Sequence, residues 1–151
     1  MAPRMIWLPV VAAILCGSVF AQTAPDSSKT GTKKPNLETT KRLISKRQFH
    51  KAIPVLHNVL NQDITNARAH FQLGECYYFT DRIERALPYF EFAYFYDPTV
   101  HDDLDYFLGR SYHYVGKIES AIQHYDAAKN KYSADSPEYQ DIMLRLQQCE
   151  V

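Results

Sequence analysis

The sequence has little of what chemistry usually needs. Among 151 residues there are three cysteines, five glycines and one tryptophan. The cysteines do not cluster with histidines at zinc-ligand spacing, and no glycine-rich loop is present to cradle a phosphate. Neither H-E-x-x-H nor G-x-S-x-G occurs, which removes the common metalloprotease and hydrolase signatures. Charge of one sign is also missing: 17 Lys+Arg stand against 17 Asp+Glu. A balanced chain lacks the basic field that nucleic acid selects. Its basic clusters, Lys33-Lys34, Lys41-Arg42 and Lys46-Arg47, read as solvated surface.

Six histidines (His50, His57, His70, His101, His113 and His124) fall in no catalytic arrangement. Asp102, Asp103 and Asp105 alternate like part of a calcium loop, but the loop's glycine and distal glutamate are absent. These aspartates are expected to be helix-start carboxylates favoured by the macrodipole. The expectation is a chain that is not an enzyme, with no catalytic residue, metal ligand or cofactor.

A long apolar run occurs only at the N-terminus. Arg4 precedes an apolar stretch over residues 5–20, and Val19-Phe20-Ala21 offers a cleavage site, so residues 1–21 read as a secretory signal peptide. A transmembrane anchor is the weaker alternative, because the run is short and contains Pro9 and Gly17. Lipidation at Cys16 is disfavoured by Leu15, where a small residue belongs. Residues 22–35 are rich in Thr, Ser, Lys, Gly and Pro without apolar periodicity, as in a flexible linker. The folded part is expected over residues 36–150. Export brings oxidising surroundings, yet Cys76 and Cys149 should lie too far apart to bridge, with Cys76 a buried packing residue.

What the sequence does contain is a repeat. Leu73, Gly74, Tyr77, Ala86, Phe90, Ala93 and Pro98 are spaced as two helices joined by a turn at Thr80-Asp81-Arg82, the second ending at Asp97-Pro98. Leu108, Gly109, Tyr112, Ala121, Tyr125 and Ala128 repeat the pattern thirty-five residues on, the extra residue falling near positions 100–102. Upstream, Leu43, Ala52, Leu56 and Val59 form a thinner copy with Thr40 at the glycine position. Phe49, Ile83 and Ile118 each stand three residues before the second-helix alanine. Pro54 and Pro88 stand two after it and are expected near the first turn, where a missing N–H is tolerated.

On these residues the chain resembles the tetratricopeptide repeat family. The pattern departs from the family at His70, where tryptophan is usual, which weakens one packing position. The resemblance implies an all-α superhelix of three helix–turn–helix repeats, at about residues 36–66, 67–100 and 102–135. Ser136 and Pro137 then open a closing helix over 137–149, with Tyr139, Ile142, Met143 and Leu146 as its apolar stripe and Gln140, Asp141, Arg145, Gln147 and Gln148 on a polar outer side. The alternative is that this helix begins a fourth repeat.

Stacked repeats place first helices on a concave side. The first-helix positions pointing away from the packed face are Leu37, Lys41 and Ile44; Phe71, Glu75 and Tyr78; and Tyr106, Arg110 and His113, with Phe79 and Tyr114 flanking them. Aromatic residues with arginine are the chemistry of interface hot spots. The expected function is therefore a non-catalytic protein–protein interaction scaffold that binds a peptide segment or partner helix in this groove. In the second repeat, Phe90, Ala93, Tyr94 and Tyr96 are expected in the core, leaving Tyr89, Phe92 and Phe95 as a second, convex surface.

Residues 103–114 (D-L-D-Y-F-L-G-R-S-Y-H-Y), Ala121-Ile122 and the Arg145-x-x-x-Cys149 ending resemble something narrower. They are similar to the N-terminal module of Bacteroidetes envelope proteins, in which such repeats precede a β-propeller and an OmpA-like domain and some members serve type IX secretion. That resemblance implies a periplasmic or outer-envelope adaptor with envelope-complex subunits as partners, alone or as a fragment of a longer protein. Peptidoglycan binding does not carry over, because no residues here match that domain.

Overall fold

The computed structural model describes residues 36–149, which form seven α-helices. These are α1 (Leu37–Ser45), α2 (Phe49–Gln62), α3 (Ala67–Tyr78), α4 (Ile83–Tyr96), α5 (Leu104–Tyr114), α6 (Ile118–Lys129) and α7 (Pro137–Cys149). No strand occurs among the described residues. The signal-peptide and linker expectations lie outside them.

Local chemistry sets the helix starts. The Asn36 side chain accepts from the Glu38 amide, Asn66 from Ala69 and Ser136 from Tyr139, each satisfying an N-terminal N–H that has no partner within its helix. The turns inside the pairs share one design. Arg47, Asp81 and Gly116 all have positive φ, at 55°, 58° and 76°. In each turn the next residue's N–H reaches back to a carbonyl five residues earlier: Gln48 to Leu43, Arg82 to Tyr77 and Lys117 to Tyr112. This is the Schellman closure of a helix end, and it fixes the direction in which each second helix departs.

Consecutive helices pack antiparallel, α1 on α2, α3 on α4 and α5 on α6, and each pair stacks on the next, with α7 closing against α6. Helix α1 also touches α3, and side-chain contacts of Tyr78 with Phe107 and of Tyr106 with Asp141 join α3 to α5 and α5 to α7, so the odd-numbered helices line one side. The architecture is an all-helical superhelix of the tetratricopeptide type. All described residues belong to one compact unit.

Within a pair, closeness depends on a small residue facing a large one. A β-carbon built on Gly74 would lie 2.6 Å from the Phe90 ring, and one on Gly109 would lie 2.6 Å from Tyr125. The first pair reaches the same end differently. Thr40 stands at the glycine register and Leu56 at the ring register, and both are fully buried. The Thr40 hydroxyl bonds to the Gln72 amide, tying α1 to α3. Between the second and third pairs the core is aromatic: Phe90 stacks on Phe107 at 5.2 Å, and Phe71 and Tyr78 close around them.

Several expectations need correction. His70 fills its site, although its Nδ1 is buried without a hydrogen-bond partner among the described residues. It is 4% exposed, bonds through Nε2 to the Ile64 carbonyl and stacks against Tyr96. Pro54 and Pro88 lie at the sixth residue of their helices, because α2 and α4 begin at Phe49 and Ile83. Each therefore removes one interior hydrogen bond, on a face exposed enough for water to compensate. Tyr94 is 41% exposed and turns its ring edge to His124, so it is not core. Met143 is also exposed, leaving Ile142 as the one fully buried side chain of α7.

Asp105 lies in the first turn of α5, as expected of a helix-start carboxylate, but it is also buried and paired. It is 5% exposed, bonded to His124 Nδ1 at 2.9 Å and paired with Lys131 Nζ at 2.8 Å. Burial alone pushes its carboxyl up, but these two partners outweigh it and hold the group below the usual range. Asp103 is occupied as well, accepting from the Tyr132 hydroxyl at 2.6 Å.

Candidate functional site: the concave face

The inner face carries one residue per odd helix at a shared register. Lys41 on α1, Glu75 on α3, Arg110 on α5 and Arg145 on α7 follow at intervals of 34, 35 and 35 residues. The repeat thus lays charged groups in a row, and their surroundings divide the row into two parts.

The α5–α7 part is a preformed network. The Arg110 guanidinium lies 5.7 Å from the ring centroids of both Tyr78 and Tyr106. It donates to the Tyr106 hydroxyl at 2.9 Å, and that hydroxyl donates to Asp141 at 3.0 Å. Asp141 also accepts from Arg145 Nε at 3.0 and 3.1 Å and lies 3.5 Å from Arg110. Burial raises the Asp141 carboxyl, but Arg145, Arg110 and Tyr106 prevail and keep it below its ordinary value. Held between two rings and a carboxylate, Arg110 presents a planar, oriented surface rather than a mobile charge. Asp141 and Arg145, expected on the outer side of the closing helix, instead face α5. Extending the 35-residue interval from Arg110 reaches Arg145, a signal that was legible in the sequence.

The α1–α3 part is a pocket of about 250 Å³ lined by Lys41, Ile44, Arg68, Phe71, Glu75 and His101, among others. Phe71 was expected to be available to a ligand, but it is 2% exposed. Phe90 and Phe107 pack behind it and His101 stacks over it at 4.3 Å, so it forms wall rather than surface. Glu75 has neither an ion pair nor a hydrogen bond through its carboxylate among the described residues. Burial, aided by the nearby Asp103 charge, pushes its carboxyl up to about 7. Arg68 and His101 came from the α3 start and the α4–α5 loop, which a reading confined to mid-helix positions passed over.

The remaining expected residues scatter. His113 is half-buried under α7, its Nδ1 4.0 Å from Cys149 Sγ. Phe79 stacks on Phe49 at 5.6 Å, and Tyr114, one repeat later, lines a cleft with Ile83. Both thus sit at the edge formed by the turns inside the helix pairs, because each stands at or beside the end of its helix. On the convex side Tyr89 is stacked on Tyr77, whereas Phe92 and Phe95 are 48% and 77% exposed. Cys76 is buried, and it forms no disulfide with Cys149.

Known structures share the fold. The chain superposes on the Yersinia enterocolitica type III secretion translocator chaperone SycD with a TM-score of 0.61 and 14% identity, covering 75% of this chain and 79% of that one. It superposes equally on PcrH, solved in complex with the chaperone binding region of PopD (TM-score 0.61, 14% identity, 76% and 87% covered). A variant of MamA RS-1 gives a TM-score of 0.56 at 21% identity over 66% of this chain and 57% of that one. The fold is that of tetratricopeptide-like helical repeat proteins. No family model matches the sequence, and no curated protein matches it. SycD has also been solved with a peptide of the translocator YopD (TM-score 0.56, 14% identity). At such identities the likeness is one of fold alone.

Proposed function

We propose that this protein is an exported, non-catalytic scaffold that holds a segment of a partner protein, as peptide or helix, against its concave face. The observation that carries this reading is the Tyr78–Arg110–Tyr106 stack, fixed by Asp141 and open along one edge. A rigid aromatic–guanidinium platform binds polypeptide with little entropy left to lose. The helical-repeat neighbours solved with partner segments, PcrH and SycD, support the class of ligand. Export rests on the N-terminal sequence pattern, and a periplasmic or outer-envelope setting with envelope-complex partners rests on the narrower resemblance. No helix among the described residues is long and apolar enough to cross a membrane.

The test uses the whole chain as bait in cross-linked envelope extract, beside a Tyr78→Ala/Arg110→Ala bait of unchanged helicity. A partner held by the first and lost by the second is the expected result. Retention by both would overturn the concave assignment.

A second reading has its own observation, the exposure of Phe92 and Phe95, three residues apart on one flank of α4. A structural module of an envelope assembly would dock there. Phe95→Asp should then abolish assembly while leaving concave binding untouched.

A further inference from the structure

The α1–α3 pocket has a chemistry of its own. Its volume of about 250 Å³ falls below the range of about 300–1,000 Å³ usual for small-molecule sites and is the size of a side chain. One wall is the His101–Phe71 stack and another is Ile44, so the stem of a guest meets apolar surface. Its lining includes the Glu75 carboxyl, which has no ion pair with a cation among the described residues. The charged groups that face it are Lys41 from α1, Arg68 from α3, His101 from the α4–α5 loop and Asp103 from the start of α5. Lys41 and Arg68 are exposed to solvent, where their charges are screened. Asp103 adds negative charge beside the Glu75 carboxyl and raises it further.

Resting on the concave-face reading above, we infer that this pocket receives a lysine or arginine side chain of the bound segment, with Glu75 as counter-ion and His101, Phe71 and Ile44 enclosing the aliphatic stem. A half-buried carboxylate without a partner is unfavourable in the empty protein and is satisfied by an arriving cation. The pocket thereby sets sequence preference, while the Arg110 platform supplies general affinity. The two lie on adjacent repeats, Glu75 and Arg110 sharing one register, so an extended segment spans both.

The experiment is selection of a randomised twelve-residue peptide library on the full chain, and in parallel on Glu75→Gln and Glu75→Lys. Expected is enrichment of Lys or Arg at one position with the natural chain, its disappearance with Glu75→Gln, and replacement by Asp or Glu with Glu75→Lys. In a selected peptide, changing that residue to Met should weaken binding about tenfold to the natural chain, the scale of a charge-assisted hydrogen bond, and hardly at all to Glu75→Gln. Affinity should rise from pH 6 to pH 8 as Glu75 ionises, with a flat profile in Glu75→Gln. Peptides that bind through Tyr78 and Arg110 without a basic preference would overturn this inference and leave the scaffold reading standing. A library from which nothing binds would overturn both.

Discussion

Gly74 and Phe90 fit each other so closely that a β-carbon at the first would lie 2.6 Å from the ring of the second. Phe90 is fully buried and stacked on Phe107, so its ring has nowhere to retreat. The same pairing recurs as Gly109 with Tyr125, and Thr40 with Leu56 strikes the same balance, the threonine being larger than glycine and the leucine smaller than the aromatic ring.

Gly74→Ala should therefore destabilise the fold by about 1–3 kcal/mol through overpacking. Phe90→Leu alone leaves a void and is also destabilising. The double variant reproduces the balance of the first repeat, and its loss should be smaller than the sum of the single losses by about 1 kcal/mol. Denaturant titration of the four proteins measures this, and strict additivity would show that the two residues are not coupled.

Arg47 holds a left-handed backbone conformation, φ 55°, at the turn where Gly116 stands in the third repeat. Arg47→Gly should stabilise the chain by about 0.5–1 kcal/mol, since relief of left-handed strain exceeds the entropy of glycine in the unfolded chain. The reciprocal change, Gly116→Ala, should lower the melting temperature. Opposite signs for the two variants are the expected outcome of thermal unfolding.

Glu75 should make stability fall as pH rises. Its folded-state carboxyl, pushed up from 4.5 to about 7, leaves the folded state holding more protons than the unfolded state between those values, so stability declines across that window. Glu75→Gln should match the natural chain near pH 4 and exceed it above pH 7, by about 1–3 kcal/mol. Equal stability at pH 8 would show that the carboxyl is not penalised.

Asp105 has the opposite sign. Held below 3.8, it contributes stability at neutral pH that is lost as the pH falls through its folded-state value. Asp105→Asn leaves His124 and Lys131 without their shared anion and should cost about 2–3 kcal/mol at pH 7. The gap should close in acid. A gap independent of pH would assign the loss to packing instead.

Much of the fold was legible in the sequence because it depends on local rules. Helix pairing shows in the spacing of Leu73, Gly74, Tyr77, Ala86 and Phe90, and Ser136 with Pro137 announces the start of the closing helix. The candidate site was less legible. The positions of Tyr78, Tyr106 and Arg110 follow from register, but whether a ring at such a position is surface or wall depends on what packs behind it. Phe71 and Tyr106 share one register, yet Phe90, Phe107 and His101 enclose the first while the second keeps a half-exposed edge.

The sequence by itself determined that this chain builds stacked helix pairs, because the small-to-large alternation and the turn residues act within a few dozen positions of one another. Tertiary structure decided most of the electrostatics. Asp105, Asp141 and Glu75 are three carboxylates on odd-numbered helices, and of these only Asp141 has a Lys or Arg one turn along its own helix, Arg145. Two find cations elsewhere in the fold, His124 on α6 with Lys131 just beyond it for Asp105 and Arg110 on α5 for Asp141, and settle below their ordinary range, while Glu75 is half-buried beside Asp103 and finds none among the described residues. A carboxylate's state follows from the charges and solvent around it in space, and those are assembled only when the repeats stack.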